Sequence, residues 1–141
     1  MSAAAPGAPP EQPSTDTSAG EVEAVFLMTD IEGSSERWQT RPAAMASALA
    51  RHDRIIAGAV ERNGGRVVKH TGDGFFACFV GGDPLRCALE VQKAMAAGDW
   101  SDAGGLRVRI AVHSGRAVER GGDLFGADVS LTARLLSAAW G

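Results

Sequence analysis

Apolar positions change period several times along the chain, and each change marks an element. Glu21 to Asp30 (EVEAVFLMTD) begins with partial alternation and ends in an unbroken apolar run, the pattern of a central strand covered on both faces. From Pro42 to Arg62, Met45, Leu49, His52, Ile56 and Val60 recur at spacings of three or four, which predicts a helix with one apolar stripe. Pro42 suits its first turn, and Asn63-Gly64-Gly65 ends it. Arg66 to Thr71 and Phe75 to Val80 flank Gly72-Asp73-Gly74, the signal of a tight hairpin. Asp83-Pro84 caps a second amphipathic helix with Leu85, Ala88, Leu89, Gln92, Met95 and Ala96 as its apolar stripe. Leu106 to His113 alternates as a half-buried strand. Beyond Ser114-Gly115 come a short run from Arg116 to Glu119, a Gly121-Gly122 turn, and a helix from Asp128 to Ala139 striped by Leu131, Leu135 and Ala138.

The order strand, helix, strand, strand, helix, strand is that of an α+β, ferredoxin-like split βαβ core (βαββαβ) with C-terminal additions. No repeat or second domain interrupts it. Residues 1–20 are rich in Ala, Pro, Ser and Gly without apolar periodicity, so they are expected to be a disordered tail preceding one domain over 21–141. The last helix runs into Trp140-Gly141 with no closing strand, which would leave a sheet edge open; a fragment of a longer polypeptide is expected.

Composition narrows the function classes. A formal charge of −3 with no basic stripe argues against a nucleic-acid surface. Cys78 and Cys87 stand in an apolar strand and a helix without ligand spacing, so reduced buried thiols are expected rather than a disulfide or zinc site. With no long apolar run and no signal peptide, the reading is a cytoplasmic segment without membrane contact.

The candidate chemistry starts from two aspartates. Asp30 and Asp73 each stand where an apolar strand runs out into glycine and a turn, and paired carboxylates there suit hard cations such as Mg²⁺ or Mn²⁺. Singly, Asp30 reads equally as a helix cap and Asp73 as a turn residue. Ile31-Glu32-Gly33-Ser34-Ser35 follows Asp30 as a small-residue loop whose N–H groups suit phosphate, or as an ordinary capped helix start. Lys69 and Asp73, four residues apart on the hairpin, share a face by alternation. Arg116 and Arg134 are guanidinium candidates for a triphosphate, with a solvated helix charge as the alternative for Arg134. His52 reads as a core histidine, while His70 and His113 carry no assigned role.

FLMTDIEGSS, KHTGDG, HSGR and Asp123-Leu124-Phe125-Gly126 followed by Arg134 occur in the order that resembles one family, the class III nucleotidyl cyclases. The resemblance covers about residues 22 to 141, and the opening motif looks most like a bacterial branch found at the start of larger regulatory proteins. It implies two divalent ions per site held by Asp30, Ile31 and Asp73, and a phosphate loop including Gly33 and Ser34. Lys69 and Asp123 would select adenine: an ammonium donates to a ring nitrogen, and a carboxylate accepts from the exocyclic amino group, in whose place guanine presents an acceptor carbonyl. Without the resemblance, Lys69 reads as a solvated lysine and Asp123 as a turn residue. Arg134 would stabilise the transition state. Where the family has an asparagine that orients the ribose, this chain has Ser130; losing one oriented donor costs about 10²- to 10³-fold in rate, so a feeble enzyme is expected. The implied function is an adenylate cyclase converting ATP to cyclic AMP and pyrophosphate at the interface of a head-to-tail homodimer, with a downstream effector domain in a longer chain. The competing reading is a degenerate cyclase homology domain that binds nucleotide or only dimerises.

Overall fold

The computed structural model describes residues 20–139. The predicted tail, except Gly20, and Trp140 and Gly141 lie outside the described residues. Five strands, β1 (Glu21–Ile31), β2 (Arg66–Thr71), β3 (Gly74–Phe79), β4 (Val108–Arg120) and β5 (Asp123–Phe125), form one antiparallel sheet in the order β2-β3-β1-β4-β5. Around it lie α1 (Ser34–Thr40), α2 (Pro42–Arg62), α3 (Pro84–Ala97) and α4 (Ala127–Ala138), with a 3₁₀ turn at Ser101–Ala103.

Strand alternation sorts the core into two layers. Leu27, Ile31, Phe75, Ala77 and Phe79 meet Met45, Ile56 and Val60 of α2 and Cys87, Val91 and Met95 of α3. Phe26, Phe76, Cys78, Ala117 and Leu124 face the other way, where Val129 of α4 packs against them. β3 is accordingly buried throughout. Its Gly74 is obligatory for a steric reason: a Cβ there would lie 2.6 Å from the Thr29 carbonyl oxygen of β1.

Three expectations are corrected. Leu85 and Leu89 are 70% and 56% exposed, and the buried stripe of α3 is Cys87, Val91 and Met95. This helix is apolar on more than one side, so spacing alone did not choose the inward face. In α4, Val129 and Thr132 face inward while Leu135 is 44% exposed, because docking is set by Asp128 at its first turn. β4 is one strand through Ser114-Gly115, paired with β1 from Ile31↔Val108 to Glu21↔Val118, and it turns at Gly121-Gly122 into β5, a strand the apolar pattern did not predict. Asp83 does cap α3, accepting the Arg86 N–H at 2.9 Å.

Candidate active site

Asp30 ends the β1 face that carries Phe26 and Met28. Its register partner on β4 is Arg109, whose Nε donates to Oδ1 at 2.7 Å and Nη2 to Oδ2 at 2.5 Å. Both carboxylate oxygens are therefore engaged by one planar fork. Thr29↔Phe75 and Thr71↔Gly74 place the hairpin tip, and with it Asp73, beside the end of β1. The Phe75 N–H donates to Thr29 Oγ1 at 3.2 Å, tying the two strands at that level. Arg109 is held more firmly protonated than an ordinary arginine, first by its bond to Asp30 and then by the charges of Asp30, Glu32 and Asp73. Three carboxylates thus share the field of one guanidinium.

The loop after Asp30 is fixed from below. Ile31 buries its side chain, leaving only its backbone carbonyl as an oxygen donor. The Glu32 N–H donates to the Arg107 carbonyl at 2.9 Å. Gly33, at φ 64°, is the N-cap of α1 with no side-chain cap, so neither Asp30 nor a serine caps this helix. Arg37 holds the turn by donating to the carbonyls of Glu32 (2.7 Å), Gly33 (3.0 Å) and Gly105 (2.6 Å). Ser34 is half-buried at the start of α1.

Lys69 and Asp123 meet. They come from β2 and β5, the two outer strands of the sheet, yet Lys69 Nζ donates to Asp123 Oδ2 at 2.9 Å. Arg66 Nη2 and Glu119 Oε2 approach to 3.5 Å beside them, so the sheet curls until its edges touch. Lys69, helped by the Leu124 N–H, holds the Asp123 carboxyl below its usual range.

Asp128 docks α4. Its Oδ2 accepts the Arg116 N–H at 2.8 Å, and it packs so tightly on Gly115 that no Cβ would fit. Ser130 and Arg134 lie outward, both exposed, and Arg134 has no ion-pair partner among the described residues. The Arg116 guanidinium lies instead 3.8 Å from both Glu21 and Glu23. At roughly 3.3 Å per residue along a strand, it is about 23 Å along β4 from Arg109.

His52 is buried, its Nδ1 2.9 Å from Asp53 and its Nε2 without a partner among the described residues. Burial lowers its pKa from the ordinary 6.5, against the raising effect of Asp53. His70 stacks on Phe75, with ring centroids 4.4 Å apart.

Comparison with known proteins adds a direct observation: residues 17–141 match the model of the adenylate and guanylate cyclase catalytic domain. The chain belongs to this family. A cyclase/hydrolase crystal structure from Silicibacter pomeroyi superposes with a TM-score of 0.75 at 31% identity, covering 85% of this chain and 72% of that one. An uncharacterised Mycobacterium tuberculosis protein is 34% identical over 82% of this chain, which spans 39% of that protein. The adenylate cyclase of Schizosaccharomyces pombe is 32% identical over the same share of this chain and 8% of its own length. Class III cyclases use divalent ions and bind nucleotide as dimers. In this cyclase domain, no group of three or more His, Cys, Asp or Glu side chains suited to a metal occurs among the described residues. Asp30 and Asp73 fit hard cations by donor type and by their adjacency at one end of the sheet. Helices long and apolar enough to cross a membrane are absent among the described residues.

Two residues of the site escaped sequence reasoning. Arg109 and Asp128 look like ordinary charges until register places one against Asp30 and the other under α4. The sole prior signal for Arg109 was its alternation with Arg107 on one strand face.

Proposed function

We propose that this cyclase domain acts on ATP, forming a bond from the ribose 3′-oxygen to the α-phosphorus, breaking the bond from that phosphorus to pyrophosphate, and releasing the hydroxyl proton to solvent. The observation that carries the reading is the Lys69–Asp123 pair, a donor and an acceptor side by side as an adenine edge requires. Asp30, the Ile31 carbonyl and Asp73 would hold the divalent ions, which supply charge neutralisation and activation of the 3′-hydroxyl. The Gly33-Ser34 turn, kept in shape by Arg37, presents helix-start N–H groups to phosphate. Arg134, exposed and without an ion-pair partner among the described residues, is assigned to the charge developing at the α-phosphorus.

Asp30 is bound to Arg109, while Lys69 is bound to Asp123. This separate pairing supports a composite site in which one chain supplies Asp30 and Asp73 and a second supplies Lys69, Asp123, Ser130 and Arg134. Since every chain carries both sets, a head-to-tail homodimer with two equivalent sites follows. Arg116, exposed and only 3.8 Å from Glu21 and Glu23, is assigned to the triphosphate.

Ser130 predicts slow turnover. The test is cyclic AMP formation from Mn²⁺–ATP by the full-length protein, with Asp30→Ala as control. Activity that depends on Asp30 is expected. No activity in the dimer, or equal activity in the variant, contradicts the proposal, and Asp73-dependent ATP binding without turnover would select a regulatory homology domain.

A further inference from the structure

Asp30 is the carboxylate with which the metal reading begins, yet both of its oxygens are already taken. Arg109 holds them through Nε and Nη2 at 2.7 and 2.5 Å, and both side chains are only 24% exposed. The pair is built into the sheet, because Asp30 and Arg109 are directly opposed in the β1–β4 register. A rotamer change on an otherwise fixed strand is therefore what separates them. The guanidinium serves a local need. Asp30, Glu32 and Asp73 all act on Arg109, and three clustered carboxylates without a cation repel one another. A divalent ion would meet the same need at the same oxygens.

We propose that Arg109 is an internal counter-ion latch: it occupies the metal-ligating oxygens of Asp30, and a divalent ion binds there only as the guanidinium swings away. This rests on the reading of Asp30 as a metal ligand and adds the residue that sets how tightly the metal is held. The latch makes Arg109 a positioning residue, since it acts through Asp30. Arg109 Nη1 also lies 3.5 Å from the carbonyl of Ala139, so the moving side chain has a second contact at the residue that follows α4, the helix that carries Ser130 and Arg134.

Competition and simple charge repulsion make different predictions. Removing the guanidinium relieves both, whereas lysine keeps the charge but loses the planar fork that covers two oxygens. Mn²⁺ alone, without nucleotide, is titrated into the full chain and followed by the electron paramagnetic resonance signal of the free ion. Arg109→Gln is expected to bind Mn²⁺ about fivefold more tightly than wild type, the upper end for loss of one partly exposed ion pair. Arg109→Lys is expected to gain about two- to fourfold, since the competing pair is weakened but not removed. Asp30→Asn should lose the binding.

An Arg109→Lys variant indistinguishable from wild type would overturn the latch, since only charge would then matter. Wild-type affinity in Arg109→Gln would overturn it as well. Should a variant fail to fold, the wild type suffices: on addition of Mg²⁺ the Arg109 Nε–H resonance should shift and exchange faster with solvent, and an unchanged resonance at saturating Mg²⁺ would contradict the proposal. The two readings fail differently. Mn²⁺ binding that depends on Asp30 but ignores Arg109 removes the latch alone, whereas binding that ignores Asp30 removes the metal assignment and the latch together.

Discussion

Gly74→Ala tests the geometry that sets Asp73 beside Asp30. Gly74 is buried where β3 leaves the hairpin, and an added Cβ would lie 2.6 Å from the Thr29 carbonyl oxygen and 3.3 Å from Thr71 Oγ1. Its backbone is not left-handed, so any cost is one of contact rather than conformation. The first contact is to backbone, and no side chain can move to relieve it. To open 2.6 Å to an ordinary 3.4 Å the strands must part by about 0.8 Å. Overpacking of this kind costs about 1–3 kcal/mol. Stretching the Phe75 N–H bond to Thr29 Oγ1 adds about 1 kcal/mol. A total of about 2–4 kcal/mol moves a urea midpoint by about 1–2 M at a slope near 2 kcal/mol/M. Gly72, two residues away, supplies the control: it has φ +60° and nothing within 4 Å of its Cβ position. Gly72→Ala should cost about 1–2 kcal/mol through backbone strain, and Gly72→Asn much less, because asparagine tolerates that conformation. Asparagine at position 74 should give no such relief. Gly74→Ala within about 0.5 kcal/mol of wild type, the range of an ordinary surface change, would refute the steric argument.

Three further expectations follow from individual side chains. Ser130 is exposed on α4 and carries no packing role, so Ser130→Asn should fold normally and raise the cyclase rate by up to about 10²- to 10³-fold; an unchanged rate would show that the ribose is oriented elsewhere. His52 has its pKa lowered by burial, so the unfolded chain takes up its proton more readily. Its stability contribution is complete above the ordinary value of 6.5 and declines as pH falls below it. Urea melts at a series of pH values should show that slope in wild type and a flatter one in His52→Leu. Burial pushes the Cys87 thiol up to about 11 and raises that of Cys78, so neither should react with a thiol reagent at neutral pH until the protein unfolds.

Much of the fold was legible because its signals are local. Pro42, Asn63 and Asp83 mark helix ends by backbone chemistry that needs no tertiary partner, and Asp-Gly marks the hairpin in the same way. Asp30, Asp73, Lys69 and Asp123 were legible as motif residues, and the fold puts Lys69 and Asp123 in contact although they start on opposite edges of the sheet. What the sequence hid depends on pairing. Arg109 becomes Asp30's partner only through the β1–β4 register, and Arg116, equally basic in the sequence, is carried to Glu21 and Glu23 by the same ladder. The inward faces of α3 and α4 were hidden because Leu85, Leu89 and Leu135 are as apolar as the residues that pack, and neighbouring elements decide which stripe is covered. β5 is three residues long, too short for a period to register.

A catalytic site shared between two chains can be restored by mixing chains that are each defective on a different side of it. Asp30→Ala removes the metal side of each site, and Arg134→Ala removes the transition-state side. Each full-length variant alone should make little cyclic AMP from Mn²⁺–ATP. Mixed in equal amounts and allowed to exchange subunits, they should regain up to about a quarter of wild-type activity, because half of the dimers formed at random hold one intact site out of two. A mixture no more active than the variants alone, from a wild type that is active, would place the whole site within one chain and rule out the shared site.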